Sequence, residues 1–175
     1  YIPLNVVIFV LKEIFTGLGF AHSATDENHR PLNIIHRDIS PSNILISYNG
    51  LVKISDFGIA RAQTRDMSQT RSGQFKGKLG YMSPEQVLGD EIDKRSDLFA
   101  GGIIAYELLT LMRLFQGNSD IEILNKITNN KKIDVKTANT AIPDDLVNVI
   151  NKILEKNLSL RFQTAEEIVE ALDEV

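Results

Sequence analysis

The sequence predicts a mainly α-helical domain with one small β-hairpin, and three observations carry that reading. Apolar residues recur every three or four positions near the start and across the second half, two short apolar runs flank Asn49-Gly50, and the stretch between Asp56 and Pro84 has no hydrophobic period. At 175 residues and 43% hydrophobic composition the chain can bury one well-packed core, and it reads as a single unit over 1–175.

The first helix is marked by Leu4, Val7, Ile8, Leu11, Ile14, Phe15 and Leu18, one face of a helical period that ends by about His22. Residues 23–33 include Asp26, Glu27, Asn28, Arg30 and Pro31, which favour loop over regular structure. The runs 44–47 and 51–54 then form the hairpin, because Asn49-Gly50 best tolerates the positive φ of a tight turn. Residues 56–84, filled with Gly, Ser, Thr, Gln and Arg, are too many for a passive connector and read as a functional loop. Helical patterns follow at 96–110, 120–128, 143–155 and 165–173. Pro143 suits a first helical turn, and Thr164 with Glu167 forms a capping box.

Charge and composition narrow the function. Lys and Arg total 19 against 23 Asp and Glu, so the net charge of -4 gives no global attraction to nucleic acid. With no cysteine there is no disulfide, thiolate metal site or cysteine nucleophile, which fits a reducing cytoplasm. The apolar run 6–11 stops at Lys12 and Glu13, far short of the ~20 residues that span a bilayer, so neither a membrane segment nor a signal peptide is expected. Tyr1 falls inside the first helical pattern, which suggests a longer parent protein whose membrane tethering the chain does not reveal. His22 and His29 read as solvated side chains.

His36-Arg37-Asp38 is followed by Asn43, and Asp56-Phe57-Gly58 comes directly after the second run of the hairpin. Three oxygen-bearing side chains, Asp38, Asn43 and Asp56, therefore stand at the ends of one hairpin. Such a set suits Mg²⁺, a hard cation that takes oxygen ligands and shares them with substrate phosphates. Taken singly, Asp38 and Asn43 can simply cap turns and Asp56 can end a strand. Together with Ser83-Pro84-Glu85 closing the long loop and Asp97 near the start of the next helix, the HRDxxxxN, DFG and APE-like order resembles the protein kinase family. The resemblance covers the whole chain and is nearest the bacterial-type serine/threonine kinases.

That resemblance implies the C-terminal lobe of the α+β protein kinase fold, with a catalytic loop at 36–43, an activation segment at 56–85 and a helical subdomain at 86–175. It implies transfer of the γ-phosphoryl group of ATP to a protein hydroxyl with Mg²⁺ as cofactor. Asp38 takes the place of the catalytic base, Asp56 of the ligand to one Mg²⁺, and Asn43 of the ligand to a second. Leu45 matches the apolar floor under the adenine, and equally an ordinary core leucine. His36 and Phe57 match the hydrophobic spine, Asp97 the anchor of the catalytic-loop backbone, and Glu85 with Arg161 the ion pair that ties the activation segment to the helices. Arg37, next to the base, implies control by phosphorylation. Arg61, Arg65, Arg71, Lys76 and Lys78 face Asp66 alone in that loop, and a phosphate on Thr70 or Ser72 would pair with guanidinium groups and order it.

Two positions depart from the family pattern. Ser40 stands where serine/threonine kinases have lysine, two residues after the base, and Lys78 stands where they have threonine, seven residues before the Glu of the APE-like motif. A hydroxyl and an amine have changed places. Either Lys78 supplies the ammonium that Ser40 cannot, or the lost lysine marks a weakened or inactive kinase; the intact Asp38, Asn43 and Asp56 favour the first. The run Gly80-Tyr81-Met82-Ser83-Pro84-Glu85-Gln86 resembles the bacterial serine/threonine members, and the lack of a Pro-x-Lys/Arg-Trp run argues against tyrosine kinases. Within the 175 residues no GxGxxG strand-turn with its strand lysine and partner-helix glutamate is read ahead of the first helical pattern. The chain alone is thus expected to lack the N-lobe, to offer only the floor of the nucleotide site, to transfer little phosphate, and to expose an apolar face that invites homo-association. The reading from a different class is a non-catalytic lone lobe or pseudokinase that docks protein partners through its helices and basic loop.

Overall fold

Helix α1 spans Leu4–His22 in the computed structural model, which describes residues 2–57, 78–129, 133 and 135–175. Its cap is Pro3, which lies outside the helix at φ -56° and ψ 137° and offers its carbonyl to the Val6 and Val7 N–H groups. The periodic stripe Val7, Val10, Leu11, Ile14, Phe15 and Leu18 is buried. By length and composition α1 could also cross a membrane, but that stripe packs into the core against α3 (Arg95–Thr110) and α7 (Ala165–Asp173). Each large apolar side chain removed from water in this way contributes roughly 1.5–3 kcal/mol.

Strands β1 (Ile44–Ile46) and β2 (Val52–Ile54) pair antiparallel, with Ile44 opposite Ile54 and Ile46 opposite Val52. Each strand stops one residue short of its apolar run, because the connection is wider than a two-residue turn. Ser47 N–H donates to Leu51 O at 2.9 Å, Gly50 N–H donates to Ser47 O at 3.0 Å, and Gly50, not Asn49, takes positive φ, at 84°. This is the three-residue hairpin loop that ends in a left-handed glycine. β2 rests on α1 and so holds the segment after it over the core.

The second half is helical. α2 (Pro84–Leu88), which precedes α3, and α5 (Val135–Ala138), which lies between α4 (Asp120–Asn129) and α6 (Asp144–Ile153), are too short to show a period; α7 ends the series. Pro143 is the N-cap of α6 and lies one residue before its first turn. At α7 the Thr164 hydroxyl accepts from Glu167 N–H at 3.2 Å, but the Glu167 carboxylate reaches past Thr164 to Gln163 N–H at 3.0 Å, so the box closes one residue upstream. α3 is buried on nearly all sides. Gly101 makes that possible where α3 crosses α1: a Cβ there would lie 2.7 Å from Phe15 Cε1.

Candidate active site

The loop between α1 and β1 is pinned from below by one carboxylate. Asp97, in the first turn of α3 and 1% exposed, accepts from His36 N–H and Arg37 N–H at 2.8 Å each. Its third partner is His22, whose Nε2 lies 2.9 Å from Asp97 Oδ2. This corrects the reading of His22 as solvated: its side chain is 4% exposed, because the end of α1 delivers it against α3. His29, in contrast, is exposed and takes a left-handed φ of 59° in the loop after α1. His36 is fully buried. Its Nε2 donates to the Ser55 carbonyl at 2.9 Å, its Nδ1 faces Asp38 N–H at 3.3 Å, and its ring lies 4.6 Å from that of Phe57. Of the residues singled out in the sequence motifs, Arg37 at φ 66° and Asp56 at φ 58° also adopt the left-handed region that side chains resist. Non-glycine residues persist there only where their surroundings hold them.

Asp38, Asn43 and Asp56 come together around the base of the hairpin. Asn43, 4% exposed in a 3₁₀ turn over Pro41–Asn43, donates from Nδ2 to the Asp38 carbonyl at 2.7 Å and lies 3.5 Å from Asp38 Oδ2. The Asn43 carbonyl in turn accepts Ser55 N–H at 2.9 Å, which places Asp56 one residue from that contact, with its carboxylate beside the Ser55 hydroxyl at 3.3 Å. With Nδ2 committed to Asp38, Asn43 is left with Oδ1 for a cation. The donors are then all oxygens, a set that fits Mg²⁺.

Lys78 enters from the far side of the long loop. Its Nζ donates to Asp38 Oδ2 at 2.7 Å, with side chains 35% and 20% exposed. Ser40, 2% exposed, directs its hydroxyl to Ser42 at 2.9 Å. Thr70 and Ser72 lie outside the described residues, as do Arg61, Arg65, Asp66, Arg71 and Lys76. Leu45 is 54% exposed on β1 and so is not a core leucine.

Behind Lys78 the chain is tied down by a second pair. Arg161, 1% exposed, forms a two-pronged contact with Glu85 at 2.8 and 3.2 Å, and its remaining donors reach the Glu155, Arg95 and Lys156 carbonyls. Ser96 Oγ adds a 2.6 Å donor to Glu85. Burial pushes the Glu85 carboxyl up, but the Arg161 guanidinium and Ser96 overcome it and hold the group below the usual carboxylate range. Nearby, burial and the acceptor Glu107 raise the Tyr81 phenol, which donates to Glu107 at 2.7 Å. Gln86, which the sequence marks only as part of the run 80–86, has a structural role of its own. It closes a capping box with Ser83 at the start of α2, and its Nε2 donates to the Arg37 carbonyl at 3.1 Å. The pattern Ser-x-x-Gln ahead of a helix was the available signal.

The arrangement offers a carboxylate beside a lysine ammonium, with two oxygen donors for a hard cation nearby. Comparison with known proteins agrees in kind. The chain is 42% identical over 173 residues to the tyrosine-protein kinase MasK of Myxococcus xanthus, covering 99% of this chain and 27% of that protein. It is 36% identical over 175 residues to a probable serine/threonine-protein kinase of Clostridium perfringens, covering 99% and 24%, and 36% identical over 166 residues to the serine/threonine-protein kinase PknB of Mycobacterium leprae, covering 95% and 25%. The chain thus spans about a quarter of the length of these relatives. The pattern described as "Protein kinase domain" matches residues 1–172, and the chain belongs to that family.

Proposed function

We propose that the chain is the helical, C-terminal lobe of an ATP-dependent protein kinase and carries its phosphoryl-transfer residues. The observation that carries this reading is the Asp38 carboxylate, held between Lys78 and Asn43, whose own carbonyl accepts from Ser55 in the segment that leads into Asp56. Asp38 orients the substrate hydroxyl. It accepts the proton as that oxygen bonds to the γ-phosphorus and the bond from phosphorus to the β–γ bridging oxygen breaks, releasing ADP. Asn43 and Asp56 would hold Mg²⁺, which offsets the charge of the phosphates when bound. Lys78 steadies the Asp38 carboxylate and brings positive charge to the transferring group, in place of Ser40, whose hydroxyl is turned to Ser42. Leu45 provides the apolar surface for the adenine. It stands more than half exposed, so the described residues offer the adenine a floor and no cover, and the 175-residue chain assayed alone is expected to transfer little phosphate.

The hydroxyl class we infer is serine/threonine, supported by the run 80–86 and by the likeness to the Clostridium and Mycobacterium proteins, which are named serine/threonine kinases; the Myxococcus relative is named a tyrosine kinase. Phosphorylation at Thr70 or Ser72, read through Arg37, is the proposed control, and mass spectrometry of an active preparation with neither residue modified would remove it. The function itself is tested in the full-length protein by transfer from labelled ATP to a protein substrate, with phosphoamino-acid analysis of the product and Asp38→Asn as the inactive control. Nucleotide binding without transfer in the wild type would instead favour the pseudokinase reading.

A further inference from the structure

The Asp38 side chain is gripped by Lys78, but its backbone is set by something else. The peptide between Arg37 and Asp38 has two polar groups to place. Its N–H faces His36 Nδ1 at 3.3 Å, a long contact, whereas its carbonyl, that of Arg37, accepts Gln86 Nε2 at 3.1 Å from α2. Arg37 itself is left-handed at φ 66°, a conformation that an arginine leaves readily unless it is held on both sides. Asp97 holds the N–H side at 2.8 Å, and among the described contacts Gln86 holds the carbonyl side. Gln86 is itself fixed, since its Oε1 accepts Ser83 N–H at 2.9 Å and the adjacent Glu85 is locked to Arg161. One amide group therefore faces two ways: the oxygen caps α2, and the nitrogen orients the peptide that carries Asp38.

We infer that Gln86 is a positioning residue for the reaction, aiming the Asp38 carboxylate through the 37–38 peptide. This rests on the reading of Asp38 as the base. Segment 78–86 then grips the catalytic loop twice, at the carboxylate through Lys78 and at the backbone through Gln86, so docking of α2 and alignment of the base are one event. An amide is required for it. Glutamate at this position can still accept from Ser83 N–H but has no donor for the Arg37 carbonyl.

The test compares Gln86→Glu, which keeps the cap and loses the donor, with Ser83→Ala, which weakens the cap and leaves the donor. Both are made in the full-length protein. Amide hydrogen exchange at Asp38 and kcat with KM for ATP are measured beside thermal stability. Gln86→Glu is expected to speed exchange at Asp38 and to lower kcat on the order of ten- to a hundredfold with KM for ATP unchanged, the loss that a misplaced reacting group brings. Ser83→Ala is expected to lower the melting temperature while kcat stays within about twofold, since a cap contributes stability and not alignment. The inference is overturned if exchange at Asp38 is unchanged in Gln86→Glu, or if kcat in the two variants falls in proportion to their loss of stability. Should the wild type transfer no phosphate at all, the proposed function fails, while the exchange measurement still decides whether Gln86 sets the Asp38 backbone.

Discussion

Two ion pairs hold the stretch that follows the long loop, and they differ in almost everything except charge. Glu85–Arg161 is dry and saturated: both side chains are 5% exposed or less, the contact is two-pronged, and Ser96 and three backbone carbonyls fill the remaining valences. Lys78–Asp38 is a single contact between side chains that are 35% and 20% exposed. A saturated buried pair has one geometry and gains nothing by change, so it suits a fixed joint. A half-exposed pair can admit a third group between or beside its charges, which is what a transferring phosphate requires. Burial, more than the identity of the charges, separates the joint from the candidate reaction centre.

The comparison breaks most readily at the joint. Arg161→Ala leaves the Glu85 carboxylate buried without its cation, which is expected to cost about 3–5 kcal/mol and to unfold much of the domain in a urea titration. Removing both charges with apolar residues of similar volume is expected to cost less than the single change, because no orphaned charge remains. A double variant as unstable as Arg161→Ala would mean that the pair is worth more than the penalty of isolating it.

Lys78→Ala should act in the opposite sense. Stability is expected to change by less than about 1 kcal/mol, the usual range for a partly exposed pair, while phosphate transfer in the full-length protein falls roughly a hundredfold or more. Adding Ser40→Lys to that variant is expected to restore part of the transfer by returning an ammonium from the other side of Asp38. Unchanged turnover in Lys78→Ala would end the proposed exchange of roles.

The joint also has a pH signature. Glu85 is held below its ordinary value of 4.5, so its stabilising contribution is fully present above that range and is lost as pH falls through the lower folded value. The difference in unfolding free energy between wild type and Glu85→Gln is therefore expected to be largest near neutral pH and to shrink steadily below about pH 4.5. A difference that stays constant into acid would show that hydrogen bonding alone, without charge, accounts for Glu85.

These contrasts mark where the sequence was legible and where it was not. α1 and α7 could be read because an apolar period and a Thr-x-x-Glu start are local signals, and the HRDxxxxN and DFG motifs on either side of one hairpin marked Asp38, Asn43 and Asp56 as candidates through the family resemblance. α2 and α5 were missed because they hold five and four residues, less than the length at which a period shows. The turn was misread by one residue, since Asn49-Gly50 serves both a two-residue turn and a wider loop that needs only Gly50 left-handed. His22–Asp97 and Gln86–Arg37 join residues 75 and 49 positions apart. No local pattern encodes such partners. They exist because helix packing brings the end of α1 to α3, and α2 to the loop.

The smallest effect supplies the control for the whole comparison. Lys12 and Asp173 join α1 to α7 at the surface, with side chains 34% and 55% exposed. They link positions 161 apart in sequence, farther than the 76 of Glu85–Arg161 and the 40 of Lys78–Asp38. If burial is what assigns a pair its role, this one should contribute little: Lys12→Met is expected to change unfolding free energy by no more than about 0.5 kcal/mol, and by less still in concentrated salt, where exposed charges are screened. Its methylene stem would be replaced by a side chain of similar reach, so packing on α1 is retained and the charge alone is tested. A loss of 2 kcal/mol or more would mean that exposed pairs also act as joints in this fold, and the separation drawn between Glu85–Arg161 and Lys78–Asp38 would then need a cause other than burial.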